Sequence, residues 1–150
     1  MIPTRPPRKK KVYNNMSGIS HIGIAVKNLD EAVKVFRSIL GCDPVAVEKV
    51  DDQKVEVAVF RPAGPGTAAI ELICPTPDNV AVNNFIEKRG QGMHHLSLKV
   101  PDVAARLAEL KKGGYRLIDE KPRPGAEGKT IAFVHPASTA GVLLELEQEE

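Results

Sequence analysis

The chain repeats itself. Shifted by 74 residues, His21-Ile22-Gly23-Ile24-Ala25-Val26 falls on His95-Leu96-Ser97-Leu98-Lys99-Val100. The same shift, with no gap, lays Asn28–Phe36 on Asp102–Leu110 and Val57–Pro62 on Ile131–Pro136. It also lays Ile70-Glu71-Leu72 on Leu144-Glu145-Leu146. Identity between the copies is low, but the apolar positions and the places of His, Pro and Glu agree. A chain built this way must fold so that one copy of a supersecondary unit completes the other. A length of 150 residues suits one ordinary globular domain, or two small modules sharing a core.

Each copy reads as strand, helix, then a run of strands. His21–Val26 alternates with the period of a half-buried strand. Asn28 or Asp30 is placed to cap a helix whose apolar face carries Ala32, Val33, Phe36, Ile39 and Leu40, closed by Gly41. Val47–Val50 and Val55–Phe60 are strands around the polar turn Asp51-Asp52, Pro62–Gly66 is a loop, and Thr67–Ile73 is a further strand. The second copy gives a strand at Leu96–Val100, a helix at Val103–Lys112, and strands at Tyr115–Ile118, Lys129–Val134 and Gly141–Leu146. Between the copies, Pro77–Lys88 reads as a linking helix with Val80, Val82, Phe85 and Ile86, stopping at Gly90. The fold class is therefore α+β, two tandem βαβββ modules. Module 1 covers about 18–75, the linking helix about 78–89 and module 2 about 93–148, all within one domain over 17–150.

Alternation sorts the chemistry. With Ile22, Ile24 and Val26 in the core under the helix, His21, Gly23 and Ala25 face the other way. With Leu96, Leu98 and Val100 in the core, His95 joins Ser97 and Lys99 on that opposite face, and His94 turns to the helix side. Glu71 and Glu145 likewise face away from the core positions around them. Pairing the copies by a rough two-fold brings His21, His95, Glu71 and Glu145 onto one concave surface. Two imidazoles and two carboxylates suit a divalent ion such as Co, Ni, Mn, Fe or Zn, with coordination left open for water or substrate. Taken singly, each of these side chains is as well read as a satisfied edge residue. The shared offset is what argues for a site. His135, before Pro136, is read as structural or solvated.

Composition narrows the setting. No run approaches 18 apolar residues, so no transmembrane helix is expected. There is no Trp and little Tyr to stack bases. Cys42 and Cys74 are too few for a disulfide framework and are read as packing residues, which fits a reduced, cytoplasmic setting. Arg5, Arg8, Lys9, Lys10 and Lys11 give residues 1–16 five positive charges and no acid. That segment reads as a solvated arm, poor as a signal or transit peptide, and no nucleic-acid contact is expected through it.

Several segments together resemble one known family. These are His21–Val26, Ile70-Glu71-Leu72, Phe85 through Gly92-Met93-His94-His95, Asp119–Ala126, and His135-Pro136 through Gly141-Val142-Leu143-Leu144-Glu145-Leu146. They resemble the methylmalonyl-CoA epimerase family of the vicinal-oxygen-chelate superfamily, to which glyoxalase I also belongs, over about residues 18–148. The resemblance implies paired βαβββ modules forming a cup around a metal ion, usually in a homodimer. It implies His21, His95 and Glu145 as metal ligands, with Glu71 where some members carry Gln. The implied reaction interconverts the C2 epimers of methylmalonyl-CoA, an acyl-CoA substrate, by removing the C2 proton and returning one on the opposite face. Glu71 and Glu145 are the expected acid–base pair as well as ligands, since they lie on opposite sides of the pseudo-two-fold.

The chain departs from the family pattern at three places. Some epimerases place a Glu on the strand matching Val55–Phe60, but Val57 takes that position here and Glu56 faces the other side. Ala137 stands where many relatives carry Lys after His-Pro, with Ser138 as a replacement contact. The loop Lys121–Lys129 is either a cover whose basic residues meet CoA phosphates or a solvated loop. Two other functions remain open: a glyoxalase I-like isomerase of thiol hemithioacetals, and a non-catalytic small-molecule binding module on the same fold.

Overall fold

The computed structural model describes residues 2–4 and 16–150; the five cations of the expected arm lie outside the described residues. Module 1 runs β1 (Gly18–Ala25), α1 (Leu29–Leu40), β2 (Ala46–Val50), β3 (Val55–Phe60) and β4 (Ala69–Pro75). After the linking helix α2 (Val80–Arg89), module 2 runs β5 (Gly92–Val100), α3 (Val103–Lys112), β6 (Arg123–Pro124), β7 (Thr130–Val134) and β8 (Leu144–Gln148). Among the described residues no helix is long and apolar enough to cross a membrane.

All eight strands form one sheet, in the order β2-β3-β4-β1-β5-β8-β7-β6. That order reads the same from either end once module 1 is exchanged for module 2, so the repeat in sequence is a two-fold in space. The two halves join where β1 and β5 pair antiparallel, and Ile22 pairs with Leu96 at the centre of the join. Those two residues are equivalent under the 74-residue shift, so the pseudo-two-fold axis passes between them.

The helices form where their caps and stripes dictate. Asn28 accepts from the Glu31 N–H, and Gly41, at φ 69°, closes α1 in the left-handed region that a residue with a Cβ adopts only at a cost. Asp102 caps α3 in the equivalent way, accepting from the Ala105 N–H. Leu29, Ala32, Val33, Phe36 and Leu40 pack α1 on the outer face of its half-sheet, against Ala58, Phe60, Ile70 and Leu72. Val103, Leu107 and Leu110 do the same for α3 against Ala132, Val134, Leu144 and Leu146. Ile39, expected on the α1 stripe, is 73% exposed, because it sits at the margin of that stripe, turned further from its centre than the other five. Ile22 is also exposed, at 37%, since neither helix reaches the centre of the β1–β5 join.

Module 2 departs from module 1 at its edge. Residues 115–118 make only an isolated bridge, Leu117 to Val134, and the edge strand is the two-residue β6 instead. The loop around β6 is tied to module 1. Gln53 Nε2 donates to the Pro124 carbonyl (3.1 Å), Arg123 Nε lies 3.1 Å from Asp52, and the Glu127 N–H donates to Glu48. Arg61, at the end of β3, grips both oxygens of Glu127 at 3.1 and 2.7 Å. These contacts bring the two sheet edges together and curl the sheet into a cup.

Leu72 is fully buried under α1. Leu72→Ala is expected to lower stability by about 3 kcal/mol, a typical cost for a large-to-small change in a core. Ile39→Ala should cost less than about 0.5 kcal/mol. Urea unfolding midpoints of the two variants check this, and equal costs would contradict the assigned stripe.

Candidate metal centre

Strand register builds two rows of side chains across the floor of the cup. One row runs Val59, Glu71, Gly23, His95 over β3, β4, β1 and β5. The other runs Phe133, Glu145, Ser97, His21 over β7, β8, β5 and β1. Each residue of one row is the 74-residue equivalent of its counterpart in the other. The rows run side by side and antiparallel, so each histidine lies beside the other row's small residue.

The small residues make the site. At Gly23 a Cβ would sit 2.0 Å from His95 Cε1, so the His95 ring occupies the space that Gly23 leaves. Ser97, fully buried at the equivalent position, donates to Glu145 Oε1 at 2.9 Å and orients that carboxylate. The result is a tight cluster. His21 Nε2 lies 3.0 Å from His95 Nε2, 3.3 Å from Glu145 Oε1 and 3.4 Å from Glu71 Oε2, while Glu145 Oε2 is 3.7 Å from His95 Nε2. His21, His95 and Glu145 each offer one ligand atom within 4.8 Å of the others, a group able to hold a metal ion. Glu71 reaches the cluster through His21. Phe133 packs edge-on against His95, with ring centroids 5.6 Å apart.

The donor set fits a divalent ion. Two ligands at right angles, each about 2.1 Å from one ion, stand about 3 Å apart, which matches the facing imidazole nitrogens. Two bare ring nitrogens at that distance repel unless a proton or a cation lies between them. The electrostatics point the same way. Burial, then the positive field of Arg61, pushes His21 down to about 4, and burial with the neighbouring histidines holds His95 well below its ordinary value. Burial, then Glu147 and Glu127, pushes Glu71 up to about 8. Burial and Glu71 hold Glu145 well above its ordinary value, against the Ser97 hydrogen bond. The imidazoles are therefore already in the neutral, ligating form at neutral pH, and the carboxyls carry the protons that an ion displaces.

All four expected site residues thus meet on one surface. His94, expected on the helix side with Leu96 and Leu98, turns inward instead: the β1–β5 register steps from Gly23–His95 to Ile24–Met93 and leaves it out, and this bulge sets it edge-on to Phe85 of α2 at 4.9 Å with its Nδ1 3.0 Å from His95 Nδ1. Val57 faces the cup and packs near Ala126, while Glu56 is exposed on the far side. His135 is structural, its Nδ1 accepting from the Ala137 N–H. Ser138 Oγ accepts from the Arg116 N–H, so it is engaged as a local brace. In the Lys121–Lys129 loop, Arg123 pairs with Asp52 and Asp119, and Lys129 with Glu150. The loop ties the two modules together through Arg123 and Glu127, while Lys121 is exposed. Sequence reasoning gave no role to Ser20 and Glu147. Glu147 was within reach, since it follows Glu145 by the strand period of two.

Two cavities open beside the histidines. One of about 400 Å³ reaches His95 and Phe133 and is bounded by α2, Asp52–Val55 and Arg123. The other, about 540 Å³, shares His94 and Leu143 with it and carries Lys88, Arg89 and Ala137.

A cup of paired βαβββ modules with a His-His-Glu cluster on its floor is a defined class of protein. Residues 20–133 match the Glyoxalase/Bleomycin resistance protein/Dioxygenase superfamily. Ethylmalonyl-CoA/methylmalonyl-CoA epimerase of Cereibacter sphaeroides is 35% identical, over 87% of this chain and 96% of its own length. The crystal structure of methylmalonyl-CoA epimerase from Mycobacterium tuberculosis superposes with a TM-score of 0.85 at 34% identity, covering 95% of each chain. A methylmalonyl-CoA epimerase in complex with methylmalonyl-CoA and an ammonium ion superposes with a TM-score of 0.82 at 33% identity, covering 89% of this chain and 95% of its own. The chain belongs to this superfamily and, within it, to the methylmalonyl-CoA epimerase family.

Two outcomes follow from the geometry. Gly23→Ala should displace the His95 ring and weaken cobalt binding by at least about tenfold while leaving a folded chain. Unchanged affinity would contradict the packing. Because burial pushes the Glu71 carboxyl up to about 8, cobalt binding at pH 7 should release protons, and affinity should rise between about pH 6 and pH 8. Titration calorimetry in buffers of different ionisation enthalpy reads the release directly. No proton release would contradict the raised carboxyls.

Proposed function

We propose that the chain is a divalent-ion-dependent methylmalonyl-CoA epimerase that inverts C2 by removing its proton and returning one on the opposite face. The observation that carries this reading is the pair Glu71 and Glu145, equivalent carboxyls on two antiparallel rows, flanking a histidine pair. Inversion needs two proton-handling groups on opposite sides of one carbon, and the pseudo-two-fold supplies them. His21, His95, Glu145 and Glu71 are the proposed ligands, with cobalt the first expectation. The ion, when bound, supplies positive charge beside the thioester carbonyl and so lowers the cost of taking the neighbouring proton.

The chain's own residues do the rest. In the ion-free chain burial pushes the Glu71 carboxyl up to about 8, so whenever the ion does not hold it this carboxyl both gives and takes a proton near neutral pH. Ser97 keeps Glu145 aimed from the other row. Phe133 and Val59 wall the site with apolar surface and limit exchange with bulk water. The adjacent cavities give the acyl group a place at His95 and leave the second cavity, with Lys88 and Arg89, for the rest of an acyl-CoA. Ala137 lines that second cavity, so its basic character rests on the α2 residues. A homodimer belongs to the same proposal. Ile22 and Met93, on the outer side of the β1–β5 join, are 37% and 74% exposed and offer apolar surface to a second copy. A cytoplasmic setting is proposed with it.

Proton NMR of single-epimer methylmalonyl-CoA in D2O tests this. The cobalt-loaded chain should form the second epimer and wash out the C2 proton signal, and chelation should stop both. Glu71→Gln and Glu145→Gln should each slow exchange by about a hundredfold or more. No exchange by the metal-loaded chain would reject the epimerase. Wild-type rates in both variants would reject their role.

A further inference from the structure

The two histidines are not held alike. Ahead of His21 the β1–β5 register passes from Ile19 to His21 with Ser20 left out, a bulge that lets Ser20 and His21 both turn inward, and both are buried. On β8, Glu147 shares the inner face with Glu145 and is buried too. Ser20 Oγ lies 2.6 Å from Glu147 Oε2 and 3.0 Å from His21 Nδ1. The Glu147 carboxylate itself stops 3.7 Å short of Nδ1, beyond hydrogen-bond range. Glu147 therefore acts on His21 through the hydroxyl.

Hydrogen-bond accounting then fixes the ring. A carboxylate only accepts, so the single Ser20 proton goes to Glu147. Toward His21 the hydroxyl has lone pairs alone, so Nδ1 must carry the hydrogen. A neutral imidazole protonated at Nδ1 leaves Nε2 bare, and Nε2 is the atom that meets His95, Glu145 and Glu71. The 74-residue shift places His94 where Ser20 stands and Ile73 where Glu147 stands. The hydroxyl–carboxylate device therefore does not recur behind His95.

We infer that Ser20 and Glu147 are positioning residues that lock His21 in its Nδ1–H tautomer and keep the Nε2 lone pair aimed at the ion. Removing either member frees the ring to invert its tautomer and put a hydrogen where the ligand lone pair belongs. This rests on the proposed role of His21 as a ligand, but it concerns ion binding and ring tautomer, not turnover.

The test uses the full chain as Ser20→Ala, Glu147→Gln and the double variant, with exposed Glu149→Gln as a control. Cobalt affinity is read by competition with a chromophoric chelator, and the His21 tautomer of the metal-free chain by long-range proton–nitrogen-15 NMR. Each single variant should bind cobalt about 10–100-fold more weakly, with the double variant no worse than the weaker single, because the two residues act in series. The wild-type His21 should show Nδ1–H, the variants a mixture, and Ser20→Thr should restore both readouts. Affinities within about twofold of wild type, losses that multiply in the double variant, or an unchanged His21 spectrum in either single variant would each overturn the inference. A wild-type chain that binds no cobalt would instead remove the ligand reading above, and the tautomer spectrum would still decide the hydrogen-bond claim.

Discussion

The antiparallel pairing of β1 with β5 is the constraint on which the rest depends. Once Ile22 sits opposite Leu96 on the pseudo-axis, Gly23 must face His95 and Ser97 must face His21. Parallel pairing of each strand with its own module's last strand then carries Glu71 beside Gly23 and Glu145 beside Ser97. A slip of one residue in the join would turn one module's share of these side chains to the outer face. The site is thus a property of register before it is a property of any single residue, and helices α1 and α3 hold that register from outside by burying the alternate positions.

That arrangement concentrates acid in a dry place. Glu71, Glu145 and Glu147 are all buried within reach of two imidazoles that burial keeps neutral. Buried carboxylates without a counter-charge are costly, and they either take protons or gather a cation. Arg61 softens this from the rim, but its guanidinium is committed to both oxygens of Glu127. The bidentate pair does double service: it closes the sheet edges and leaves the acidic groups on the floor of the cup without a matching cation. A divalent ion would answer that imbalance and, in the function proposed above, would also supply the positive charge that favours proton abstraction beside a thioester.

Much of this was legible in the chain itself. The single offset of 74 carried His21, His95, Glu71 and Glu145 to one surface, because duplication and strand alternation are both periodic and survive in sequence. What alternation could not show is where it breaks. The bulge at Ser20 adds an inward residue out of phase, since alternation alone puts Ser20 on the outer face with Ile22 and Ile24. Ile22 fits the apolar rhythm of β1, yet its exposure depends on how far two helices reach across the join. The strand expected at Tyr115–Ile118 lost out to β6, whose place is set by contacts from Asp52 and Gln53 in the other module. The clamp role of the Lys121–Lys129 loop has the same origin: its partners Glu48 and Arg61 lie some 65 to 80 residues away in sequence.

The central claim is that the facing nitrogens of His21 and His95 share one divalent ion. X-ray absorption at the cobalt edge of the loaded chain tests it most directly. The account predicts two imidazole rings scattering at about 2.1 Å, with one ring lost in His21→Ala and one in His95→Ala. A cobalt environment made only of oxygen, or one that keeps both rings in those variants, would contradict it.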